Sequence, residues 1–157
     1  MTAKHHPGKT GDLIVNIADA RPHQLGEGTT IRLLRYSEES GDWVLWVAMQ
    51  PGATFAPHWH LGYGQYFVTK GELIYDVGSA PAGTYGDEPI GSRHAEARCE
   101  QVTEYLFMGH GAVAFTDEDG GVRFILNHEF LRDLDQGVDQ PDISNAGAAG
   151  EAAREYA

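Results

Sequence analysis

Glycines, prolines and acidic turns punctuate residues 29–126 so often that no apolar stretch there is long enough for an ordinary helix. Runs rich in β-branched and aromatic residues stand at 29–36, 43–49, 54–60, 65–69, 72–77, 103–108, 112–116 and 122–126, with an earlier one at 13–17. Pro51-Gly52, Lys70-Gly71 and residues 117–121 read as turns between them, and 78–91 reads as a loop. About nine or ten strands at this spacing predict an all-β fold, either a closed barrel or a double-sheet jelly roll. One short helix is expected at 128–134, capped by Asn127 and apolar at Phe130, Leu131 and Leu134. Residues 1–12 read as a polar arm, 13–136 as a single domain and 137–157 as a loosely attached tail.

Composition removes several classes of function. With 11 Lys and Arg against 23 Asp and Glu, the formal charge is −12. Phosphate backbones and anionic membrane surfaces are bound by clustered basic residues, so neither nucleic acid nor membrane is an expected partner. Cys99 is the single cysteine, which excludes an internal disulfide framework and a cysteine-based zinc cluster. No apolar run is long enough to span a bilayer, and residues 1–11 lack the apolar segment of a signal peptide, so a cytoplasmic protein is expected.

Among eight histidines, His58 and His60 flank Trp59 in a strand-forming run. Residues two apart on a strand project to the same side, so both imidazoles would enter one cavity and could share a metal ion. With this many histidines such a pair also arises by chance, and spacing alone leaves the metal and non-metal readings open.

The surroundings carry more. Gly52, His58, His60, Gln65 and Gly71 form one motif, and Gly83, Pro89, Gly91 and His94 form a second. The pair resembles the two motifs of the cupin superfamily. Gln65 stands where that family usually has glutamate, one residue fewer precedes the closing glycine, and Arg98 replaces the usual asparagine. Over about residues 28–130, the strings 51–60 and 64–71, the Tyr85-Gly86 pair, Glu88 six before His94 and the turn 116–120 are similar to the acetylacetone dioxygenase and 2,4′-dihydroxyacetophenone dioxygenase group of cupins. The resemblance implies a small jelly-roll barrel, His58, His60 and His94 as metal ligands, and non-haem Fe(II) used with O₂ to cleave a carbon–carbon bond.

Three neutral imidazoles would leave a divalent ion its full charge, which favours a bidentate anionic substrate such as the enolate of a small β-diketone or hydroxyketone. Gln65 shares strand parity with Phe67 and Thr69 and is expected to face the interior, where its amide could meet the metal's water or the substrate. Glu88 is a candidate to orient a ligand histidine or act as acid or base, and a solvated loop carboxylate beside Asp87 is the plainer alternative. Phe55, Tyr66, Phe67, Tyr105 and Phe107 are candidates for an apolar pocket wall. His110 could line the pocket or simply end a strand; Arg93 and Arg98 could anchor a substrate anion or stay exposed. Two other functions remain open: a non-redox isomerase or lyase using Zn, Ni or Mn, and a metal- or ligand-sensing module without turnover. Exposed sheet edges make a homodimer or larger homo-oligomer the expected assembly.

Overall fold

The computed structural model describes residues 11–138. Most of the expected arm and tail therefore lie outside the described residues. A 3-10 turn at Ile17–Asp19 replaces the strand expected at 13–17: Asn16 accepts a hydrogen bond from the backbone N–H of Ala18, so the side chain competes with extended pairing. The strands that follow are β1 (Pro22–Gln24), β2 (Thr29–Tyr36), β3 (Asp42–Met49), β4 (Thr54–Phe55), β5 (His58–His60), β6 (Tyr63–Lys70) and β7 (Glu72–Tyr75). After them come β8 (Gly78–Pro81), β9 (Tyr85–Glu88), β10 (Arg93–His94), β11 (Ala97–Arg98), β12 (Thr103–His110), β13 (Val113–Thr116) and β14 (Val122–Leu126).

A six-stranded sheet, ordered β1-β2-β3-β12-β6-β9, forms one wall, and two four-stranded sheets, β10-β5-β13-β14 and β4-β11-β7-β8, form the other. Every pairing is antiparallel, which makes the domain a double-sheet β-barrel of jelly-roll type. The alternation in β3 shows how the sequence drives it. Trp43, Leu45, Val47 and Met49 are buried while Val44, Trp46 and Ala48 between them are only partly covered. The stretch 78–91 is not the expected loop: β8 pairs with β7 and β9 pairs with β6, so backbone hydrogen bonds outweigh the glycine content.

The C-terminal helix α1 (His128–Gln136) forms as expected. The Asn127 side chain accepts from the Phe130 N–H, and Gly137 closes the helix with φ +75°. Phe130 and Leu131 join the core cluster, and Asp135 lies 3.1 Å from His23 Nε2, tying the helix to β1.

Candidate metal centre

Local chain geometry aims three histidines at one point. In β5, His58 and His60 project to the same side, and β10 pairs with β5 so that His94 stands directly across from His58. The three ring centroids form a nearly equal triangle of 5.2, 5.1 and 5.4 Å. One nitrogen from each lies within 4.8 Å of the others, so the trio could hold a metal ion.

The hydrogen bonds select which nitrogen is free. His58 Nδ1 is 2.9 Å from the Ala56 carbonyl, and His94 Nδ1 is 3.2 Å from Asp76 Oδ1. Each contact holds the Nδ1 proton and leaves Nε2 with a lone pair to offer. The buried His94 Nε2 and both nitrogens of His60 have no hydrogen-bond partner. Each such orphan costs about 1–3 kcal/mol, and a shared cation is a group that would satisfy them together. Burial, reinforced by the neighbouring His60 and His94, pulls the His58 pKa down to about 4, which keeps this ring neutral and able to donate at pH 7.

Glu88 enters from the opposite wall. It sits on β9, is buried, and places its carboxylate oxygens 3.1 Å from His60 Nε2 and 3.5 Å from His94 Nε2, off the line of a hydrogen bond. The solvated-loop alternative for Glu88 is thus set aside. So is the picture of an uncompensated +2 ion, because this carboxylate would offset part of the charge.

Gln65 is the residue the structure moves away. On β6 the buried residues are Gly64, Tyr66 and Val68, so Gln65 and Phe67 face outward. Gln65 donates to the Tyr85 hydroxyl at 2.6 Å, and its carbonyl lies 3.3 Å from His110 Nε2. The expectation that Gln65 meets the metal's water is therefore corrected. Gln65 stands an odd number of residues after His58 and His60, so plain alternation sets it on the opposite side from them, and the buried Gly64, Tyr66 and Val68 are the residues of matching parity. Phe67 leaves the pocket wall for the same reason, and His110, at the end of β12, faces outward beside it. Arg93 lies over the Trp59 ring at 4.3 Å and Arg98 beside Glu100, both exposed and away from the trio. His5 and His6 lie outside the described residues.

A cavity of about 70 Å³ opens beside the histidines, with Phe55, Tyr66, Tyr105 and Phe107 in its wall. Sequence reasoning missed two contributors. Asp76, which orients His94, sits just past β7, and Tyr75 hydrogen-bonds Tyr66 at 2.7 Å between hydroxyl oxygens. Burial pushes the Tyr66 and Tyr75 phenols up, so both stay protonated and one O–H of the pair remains for another acceptor. Gly86 makes room for this arrangement: a Cβ there would stand 2.1 Å from the Tyr66 ring. No spacing rule flags Asp76 or Tyr75, since each reaches the site through pairing between distant strands.

Comparisons with known proteins agree with this architecture. The family model described as the ChrR Cupin-like domain matches residues 10–114. The chain belongs to this cupin family. An acetylacetone-cleaving enzyme from Acinetobacter johnsonii is 31% identical over 101 residues, covering 60% of this chain and 66% of that one. The crystal structure of an acetylacetone dioxygenase from the same organism superposes with a TM-score of 0.76 at 26% identity, covering 83% of this cupin and 95% of the other chain. An RmlC-like cupin from Ralstonia eutropha JMP134 superposes at 0.72 with 14% identity, covering 83% and 92%, and shows the shared fold alone. Among the described residues, no helix of this cupin is long and apolar enough to cross a membrane.

Proposed function

We propose that this cupin is a metal-dependent dioxygenase that cleaves a carbon–carbon bond of a small β-diketone or hydroxyketone. The observation that carries the reading is the convergence of His58, His60 and His94, with buried nitrogens unpaired, beside an apolar cavity. The similarity to an acetylacetone-cleaving enzyme supports the substrate class. Bound Fe(II) would supply the redox chemistry that O₂ requires, which zinc in the same position would not.

The chain's own residues supply the rest. The three imidazoles hold the ion, with His94 kept in orientation by Asp76. Glu88 stands where a carboxylate can receive the acidic proton of a dicarbonyl as it becomes an enolate. The spare O–H of the Tyr66–Tyr75 pair offers a hydrogen bond to a substrate oxygen. Phe55, Phe107 and Phe115 exclude water and favour an apolar substrate body. A cavity that takes up benzene measures about 150 Å³, so one of about 70 Å³ favours the smallest members of the class.

Elemental analysis of protein purified without added metal, combined with an oxygen electrode, tests the proposal. Iron at about one atom per chain and O₂ uptake that depends on a β-diketone are the expected results. Zinc, nickel or manganese with no uptake would overturn it and return the site to the non-redox alternatives.

A further inference from the structure

The cavity has two chemically different ends, and strand register sets which is which. On the six-stranded wall, one row of inward side chains runs Leu45, Phe107, Tyr66 from β3 across β12 to β6. The next runs Trp43, Gly109, Gly64, Glu88 and ends on β9. On the facing wall a row runs Leu126, Val113, His60 from β14 across β13 to β5, and the next strand, β10, carries His94. Glu88 lies 3.1 Å from His60 Nε2 and 3.5 Å from His94 Nε2, so the polar ends of the two walls face each other. The apolar ends therefore face each other too, and the buried Leu25, Ile31 and Val47 close the cavity there. Trp43 is fixed within that end. Its indole N–H donates to the Gly111 carbonyl at 2.7 Å, and its ring lies so flat over Gly109 that a Cβ there would stand 2.1 Å away.

We infer that the substrate is unsymmetrical: a dicarbonyl head at the histidines, with a single unbranched apolar arm that reaches toward Leu126 and Ile31. The inference rests on the diketone reading above and names which members of that class fit. One terminal group of a bound diketone faces Val113 and Leu126, where each methylene that leaves water gains about fourfold in affinity. The other terminal group faces Glu88 and the Tyr66–Tyr75 hydroxyls. An alkyl extension on that side would leave buried polar groups without partners, which costs roughly five- to 150-fold. Growth of the substrate is therefore tolerated in one direction only. Leu126 sets how far it goes: it ends its row on the last strand, and Val113 stands between it and His60. Truncating Leu126 thus lengthens the apolar end without touching the histidines.

Isothermal titration of the zinc-loaded full chain tests the inference, because zinc supplies the charge without turnover. Heptane-2,4-dione and heptane-3,5-dione are isomers of equal size. The first carries its extra carbons on one side, and the second shares them between both. The first is expected to bind at least tenfold tighter. Leu126→Ala should raise the affinity for nonane-2,4-dione at least fivefold and leave that for pentane-2,4-dione within twofold. Ile31→Val, a milder truncation at the same end, should shift nonane-2,4-dione in the same direction by a smaller factor, with circular dichroism confirming that both variants fold. A series of n-alkyl hydroxamates, bidentate anions that are not diketones, separates the inference from the reading beneath it. Hydroxamate affinity that climbs about fourfold per methylene while no diketone binds would overturn the diketone reading and keep the apolar arm. Equal binding of the two heptanediones, or nonane-2,4-dione indifferent to both truncations, would overturn the inference.

Discussion

His110 on the outer face and the three histidines inside the barrel all meet polar partners at similar distances, yet they end in opposite states. His110 Nδ1 is 3.1 Å from Asp42 and Nε2 is 3.3 Å from Gln65, so both nitrogens are occupied, and Tyr63 stacks on the ring at 4.1 Å. Inside, His94 uses only Nδ1, and His60 has no hydrogen bond at either nitrogen. A nearby carboxylate does not distinguish a ligand histidine from a structural one. The distinguishing feature is a buried lone pair left with nothing to bind, because that group gains most from a cation.

Substitutions on the two faces should therefore separate cleanly. His94→Ala removes one of three donors, and bound metal measured by elemental analysis should fall at least tenfold with the barrel still folded. His110→Ala should leave metal content within error; an equal loss in both variants would break the comparison.

Acid should act through the inner site. The His58 pKa is about 4 when folded and near 6.5 when unfolded, so between these values the unfolded chain binds more protons. Stability of the chelator-treated protein is thus fully present above about pH 6.5 and falls as pH drops towards 4. The loss amounts to about 3 kcal/mol, read by denaturant midpoints. A flat profile over that window would contradict the neutral, buried state of His58.

Next in size is Glu88→Gln, which keeps shape but removes charge beside the trio. Chelator competition should show metal affinity about 10–100-fold weaker, against no more than a twofold change for Asp42→Asn outside. Smallest is Gln65→Ala. Its amide serves only the outer network, so metal affinity should not move and stability should change by less than about 0.5 kcal/mol. Metal loss in this variant would restore Gln65 to the site.

Much of the fold was legible because its signals are local. Alternation along β2 and β3, the Asn127 cap and the turn at 117–121 each depend on residues a few positions apart, and the structure follows them. Where a local rule met competition it failed: Asn16 turned 13–17 away from a strand, and pairing with β7 and β6 made strands of 78–81 and 85–88 within the expected loop. His58 and His60 share a face because both belong to one three-residue strand. The same count sets Gln65 on the other face, an odd number of residues beyond the pair, so the expectation that it shares their cavity did not follow from alternation.

By itself the sequence determined an all-β barrel with a capped helix and a histidine pair aimed one way, since strand periodicity and capping act within a single element. The tertiary structure alone decided that Glu88 is buried against His60 and His94 and that Asp76 orients His94. Those outcomes depend on which strands lie side by side. Hydrogen bonding between residues distant in sequence settles that choice, and no spacing along the chain records it.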